Sequence, residues 1–170
     1  MSSYTAENNQ APEMQQNLEL LKDVQLFSYF PGKALKLLAF LAERTHLSEG
    51  DILFEEGDDH GRAYLVISGQ LELFKQYDNE KVIVQQYDEG DFLGSFSLLD
   101  AMPALFTLQA VTKATVLTIN RKQFAKILEQ FPETTKLSLK VILKELHQWE
   151  RRNIHQAEAC CLRRTGATVL

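Results

Sequence analysis

Apolar residues recur along this chain with two different periods, and the switch between them divides it. Leu18, Leu21 and Val24 are spaced for a short helix, and Phe27, Phe30 and Pro31 for the turn that follows it. Leu35, Leu38, Phe40, Leu41 and Ala42 supply a broad apolar face that predicts a second helix over 33–45. From Leu47 the period shortens. Ile52 and Phe54 follow the turn at Gly50-Asp51, Ala63 to Ser68 form a continuous run suited to a buried strand, and Leu71, Leu73 and Lys75 alternate with Glu72, Phe74 and Gln76. After a polar turn over 77–80 come Val82 to Tyr87 and, later, Thr115 to Ile119. Short strands at near-regular intervals, punctuated by glycine, predict a mainly β core: an antiparallel barrel, β-roll or jelly roll with flanking helices.

Helical spacing returns at the end. Asn120 stands as an N-cap for a helix over 121–130 whose face is Phe124, Ile127 and Leu128, and Pro132 interrupts before a long helical pattern over 133–159. In that helix Leu139, Ile142, Leu146 and Trp149 follow a 3-4-3 spacing, the seam of a two-stranded coiled coil, with Asn153 at the next core position and Gln156 after it. Leu137, Val141 and Leu143 are left to pack inward. A lone Asn in a seam fixes parallel register, so the pattern favours a homodimer over a stripe packed wholly on its own roll. The expected organisation is a flexible N-terminal arm over 1–17, a β-roll domain with helices over 18–131, a dimerisation helix over 132–159 and a flexible tail over 160–170.

Composition narrows the class. The 170 residues are 45% hydrophobic and 24% charged, enough for one domain with a good core. The N-terminus is polar and no apolar run is long enough to span a membrane, so the expectation is a cytoplasmic protein without a membrane partner. The two cysteines, Cys160 and Cys161, are adjacent and make a poor disulfide staple, which predicts reduced thiols. Net charge is −5 but uneven: residues 134–170 hold seven Lys and Arg against three acids, while residues 1–133 hold 11 against 20. An acidic body that opposes approach, with a basic tail that offers no aromatic platform or groove-entering motif, predicts no nucleic-acid partner. His46, His60, His147 and His155 show no metal-ligand spacing, and no nucleophile, histidine and acid stand in a hydrolytic pattern. Neither a metal centre nor an enzyme is expected.

The stretch that carries candidate chemistry is Gly90 to Val111, GDFLGSFSLLDAMPALFTLQAV. Two glycines four apart, with Ser95 and Ser97 at the start of one helical turn, suit a backbone that presents free N–H groups to an anion. This segment resembles the phosphate-binding cassette of the cyclic-nucleotide-binding domain family, which includes Crp/Fnr-type regulators and kinase regulatory subunits. Gly94, Leu98, Pro103 and Thr107 take the family's glycine, leucine, proline and threonine. Gly50, Gly57-Asp58, Tyr64, Ile67, Gly69 and Gly90-Asp91-Phe92 also fall where such domains turn their roll, so the resemblance covers about residues 18–155.

The resemblance implies a regulatory or sensory module whose ligand would be a cyclic nucleotide, cAMP or cGMP. Both of the family's charged anchors are missing: Ser95 stands where the ribose-binding Glu would be and Ala104 where the phosphate-binding Arg would be. The candidate ligand-binding residues are therefore Gly94, Ser95, Phe96, Ser97, Ala104 and Leu105. Losing the Arg from a phosphate costs about 2–5 kcal/mol, or about 30-fold to several thousand-fold in affinity. Three readings stand open: weak cyclic-nucleotide binding rescued by Arg151 or Arg152, a more apolar small effector against Leu105 and Phe106, or a collapsed cavity in a pure dimerisation or docking domain. In Crp/Fnr-type regulators a helix-turn-helix follows the long helix, and too little chain remains here for one. The expectation is a module acting on an unidentified protein partner, or a fragment of a longer protein.

Overall fold

A chain with period-2 apolar runs folds into strands whose two faces need separate cover, and two layers supply it here. The computed structural model describes residues 7–78 and 80–154, with backbone alone at 7–11, 149, 150 and 152–154. The expectations for His155, Gln156, Cys160, Cys161, the last turn of the long helix and the tail lie outside the described residues, as do the side chains of Trp149, Arg152 and Asn153. Among the described residues eight strands, β1 (Glu43–Leu47), β2 (Ile52–Phe54), β3 (Arg62–Ser68), β4 (Leu71–Tyr77), β5 (Glu80–Tyr87), β6 (Phe92–Leu93), β7 (Thr107–Ala110) and β8 (Ala114–Asn120), make two four-stranded sheets. Their orders are β1-β8-β3-β6 and β2-β7-β4-β5, and every neighbouring pair is antiparallel. The result is the expected β-roll with flanking helices.

β3 and β8 show why a continuous apolar run was needed. Tyr64, Val66, Ala114 and Val116 point into the roll against Phe54, Leu71, Leu93 and Leu108. Ala63, Leu65, Leu117 and Ile119 face the other way, onto the helices, against Leu26, Phe27, Leu38 and Phe124. Each fully buried Leu or Phe contributes about 1.5–3 kcal/mol, so both layers matter. Among the described residues four helices form the outer layer: α1 (Glu7–Asp23), α2 (Gly32–Leu41), α3 (Arg121–Gln130) and α4 (Glu133–Ile154), with a 3₁₀ turn at Gln25–Phe27. Among the described residues no helix is long and apolar enough to cross a membrane, and no group of three or more His, Cys, Asp or Glu could hold a metal ion.

Three Gly-Asp pairs close the roll's corners by one repeated device. The carboxylates of Asp51, Asp58 and Asp91 accept from the N–H groups of Ser48, Glu55 and Asp88 at 2.8, 3.1 and 2.8 Å. Each Asp N–H in turn donates to the carbonyl of that same residue, at 3.1, 3.1 and 3.0 Å. Gly50, Gly57 and Gly90 sit between at φ of 90°, 93° and 90°, which glycine adopts without steric cost.

Three sequence expectations are corrected. The arm expected over 1–17 is helical from Glu7. Its apolar stripe is thin, but Met14 packs on the helical core and Arg44 Nε donates to the buried Asn17 Oδ1 at 2.9 Å, a contact 27 residues away that composition does not reveal. The helix expected over 33–45 ends at Leu41, because Glu43–Leu47 pairs with β8 instead, and Phe40 from its supposed apolar face is 64% exposed. The register of the long helix is also different. Its inward face is Thr134, Ser138, Val141 and Ile142, so Ile142 serves its own core and not a seam. Leu143, expected inward, is exposed together with Leu139 and Leu146. Asn120 does cap α3, accepting from Lys122 N–H at 2.8 Å while the Gln123 side chain accepts from its N–H.

The Arg44 contact is testable. Arg44→Ala leaves the Asn17 amide buried without this donor and should lower stability by about 1–3 kcal/mol in urea unfolding. A midpoint equal to that of the wild type would show that α1 is held without it.

Candidate functional site

The glycine-rich turn after β6 is fixed by close approach. Gly94 has φ of 87°, and a Cβ there would sit 2.7 Å from the Arg62 carbonyl oxygen and 3.0 Å from Ala63 Cα, so only glycine lets the chain pass β3. The turn then tightens into 3₁₀ geometry over Phe96–Leu98. Bonds within it take the N–H groups of Ser97, Leu98 and Leu99, leaving those of Ser95 and Phe96 outside the ladder.

Both serine hydroxyls expected to meet an anion are engaged elsewhere. Ser95 is buried and donates to a Glu145 carboxylate oxygen at 2.9 Å, reaching from the roll to α4. Ser97 Oγ lies 3.1 Å from His60 Nε2. His60 Nδ1 accepts from the Arg62 N–H at 3.3 Å, which leaves the ring proton on Nε2 to donate to Ser97. That ring stacks on Phe54 at 4.0 Å between centroids, and burial pushes its pKa below the ordinary histidine value against the opposing charge of Asp59. Arg121 completes the clamp. Its Nε donates to the Ser97 carbonyl at 2.6 Å, its guanidinium pairs with Asp59, and its own N–H donates to the Gly61 carbonyl at 2.9 Å. The basic side chain beside this turn thus holds the turn's carbonyl and an aspartate.

The remaining candidates divide. Ala104 is tied up on its backbone, donating to the Asp58 carbonyl and accepting from Gly57 N–H, both at 2.8 Å, and its methyl packs on the roll's interior. Leu105 is 71% exposed and, with Phe96 and Phe106, lines a cavity of about 670 Å³ between the roll and α4. Gly94 and Ser95 line it as well, whereas Ser97 and Ala104 do not.

Sequence reasoning missed the other walls: Gln25, Leu73, Val84, Gln85, Tyr87, Phe92, Leu93, Glu145, Leu146 and Gln148. Among the described residues the lining contains no Lys, Arg or His, and Arg151, proposed as a rescuing cation, is exposed and does not line it. Glu145 is its carboxylate. Burial raises the Glu145 pKa above the ordinary value, only partly offset by the Ser95 hydrogen bond. Its position was legible in principle, three residues after Ile142 and four after Val141 on the same helix face.

An ionised carboxylate is a poor neighbour for a phosphate. At about 4 Å two like charges repel by roughly 4 kcal/mol at an effective dielectric near 20, less what solvent screens at the mouth. What the arrangement does favour is hydrogen-bond donors and apolar or aromatic surface.

The cyclic nucleotide-binding domain family matches residues 44–131 of the chain. A cyclic nucleotide-binding-like protein from Brucella abortus is 34% identical, with a TM-score of 0.62 over 67% of this chain and 98% of that one. The regulatory domain of Toxoplasma gondii PKA, crystallised with cAMP, is 27% identical, with a TM-score of 0.63 over 68% of this chain and 44% of that one. The cAMP-dependent protein kinase type II regulatory subunit of Drosophila melanogaster is 28% identical over 148 residues, 82% of this chain and 38% of that protein. The chain spans far less than two thirds of the curated relatives it matches first.

Glu145→Gln isolates the buried acid. A carboxyl whose pKa is raised on folding keeps a proton that the unfolded chain releases, so its contribution is present below the ordinary value and lost as pH rises through the raised one. Glu145→Gln should therefore unfold at higher denaturant than the wild type at pH near 7, and the gap should close as the pH falls toward about 4. Equal stability at neutral pH would mean that the acid carries no burial penalty.

Proposed function

The chain belongs to the cyclic nucleotide-binding domain family, and from that premise we propose that it is a non-enzymatic regulatory module with weak or lost cyclic-nucleotide binding that acts through a protein partner. The observation that carries this is the charge of the cavity. Where a cyclic phosphate needs a cation, the described lining offers Glu145, and the two positions where the family places charged anchors hold Ser95 and Ala104. Ser95 is itself occupied by Glu145, so a ligand reaching it must first break that bond. The fold is retained and the phosphate chemistry is not.

Assembly as a homodimer through α4 is the second part of the proposal. Leu139, Leu143 and Leu146 are 48%, 55% and 37% exposed and follow a 4-3 spacing, which brings Glu150 and Asn153 into the same register. This seam replaces the one expected with Ile142. Two apolar turns are short for an isolated coil, so contact area from elsewhere on the domain must contribute.

Calorimetry tests the cavity. Wild type should bind cAMP with a dissociation constant of about 1 mM or weaker, roughly a thousandfold or more short of a 1 μM receptor. Ser95→Glu with Ala104→Arg and Glu145→Gln should gain affinity; tight binding by the wild type contradicts the proposal. For assembly, Leu143→Glu should remain folded by circular dichroism and shift from dimer to monomer in light scattering. A wild type that is monomeric at high micromolar concentration contradicts the seam.

A further inference from the structure

We propose that the cavity between the roll and α4 binds an organic ammonium, a protonated amine on an apolar or aromatic body, with Glu145 as its counter-ion. The inference rests on the proposed loss of phosphate binding and names what the altered site selects. Glu145 is half-buried, and among the described residues it has one neutral hydrogen-bond partner, Ser95 at 2.9 Å, and no salt bridge. A carboxylate drawn from water without a cation is held at a cost that a bound cation removes. An ammonium N–H donates directly to the carboxylate oxygens in a charge-assisted bond, which a neutral hydroxyl does more weakly and an anion cannot do at all.

The walls fit the rest of such a molecule. Four aromatic residues, Tyr87, Phe92, Phe96 and Phe106, are among those lining a space of about 670 Å³, within the range of small-molecule sites. Ring faces attract an ammonium through their quadrupole and bury its hydrocarbon body. The amide oxygens of the lining glutamines accept further N–H groups. Because Ser95 sits on the roll and Glu145 on α4, a ligand that takes the carboxylate competes with the bond joining the two, so occupancy changes how α4 is held.

The test uses three probes with one phenylethyl body and different charge: phenethylamine, 2-phenylethanol and 3-phenylpropanoate. Calorimetry at neutral pH should rank the amine first, about tenfold or more tighter than the alcohol, and the acid last. Glu145→Gln should bring the amine down to the level of the alcohol while leaving the alcohol unchanged. A second measurement needs no variant: in the wild type the amine's affinity should fall as the pH is lowered through the raised Glu145 pKa, and that of the alcohol should not. Equal binding of the three probes, no detectable binding of the amine, or an amine affinity insensitive to both Glu145→Gln and pH would each overturn the inference. A parallel cAMP titration separates the two proposals: tight cAMP binding overturns the proposed function, whereas weak cAMP binding with no amine preference overturns this inference alone.

Discussion

The hydrogen bond from Ser95 to Glu145 is the contact on which the site depends. One end stands on the turn after β6, where Gly94 passes within a Cβ's reach of β3, and the other on a helix that packs on the first 3₁₀ turn and α3. It joins the two layers in the cavity and sets the cavity's charge. A neutral hydroxyl can hold a half-buried carboxylate only partly, so the bond leaves the acid with a raised pKa and a residual demand for a donor.

The two serine hydroxyls of the turn around Ser95 are committed to the protein. Arg121 grips the Ser97 carbonyl and Asp59 together, and His60, stacked on Phe54 with Tyr64 alongside both, holds the Ser97 hydroxyl. The hydroxyls and the guanidinium at this turn are thus already partnered, while the N–H groups of Ser95 and Phe96 stay outside the turn's own bonds. Along α4, Thr134 and Ser138 are buried; the Thr134 hydroxyl donates to the Phe131 carbonyl ahead of the helix at 2.6 Å and the Ser138 hydroxyl to the Thr134 carbonyl at 2.9 Å.

The roll was legible in the sequence because its signals are local. The three Gly-Asp turns close over four residues each, and the run Ala63–Ser68 needs cover on both faces whatever lies beyond. The helix limits were less legible where distant partners decide them. Glu43–Leu47 has a polar, exposed pattern as a helix end and becomes β1 only because β8 pairs with it, and α1 extends to Glu7 with support from Arg44. The α4 register hinged on which stripe faces inward. A heptad through Leu139 and Ile142 and one through Leu139 and Leu143 are both present in the letters, and packing of Val141 and Ile142 on the helical core leaves only the second exposed. Glu145 went unrecognised for the same reason, since its role appears once Val141 and Ile142 are known to face the core.

The central claim, that an acid rather than a cation governs this cavity, is tested most directly by carbon-detected NMR titration of the Glu145 carboxyl. The wild-type midpoint should lie above the ordinary glutamate value, and Ser95→Ala should raise it further, because burial lifts it and the serine hydrogen bond holds it down. A wild-type midpoint at or below the ordinary value, with no upward movement in Ser95→Ala, would contradict the account.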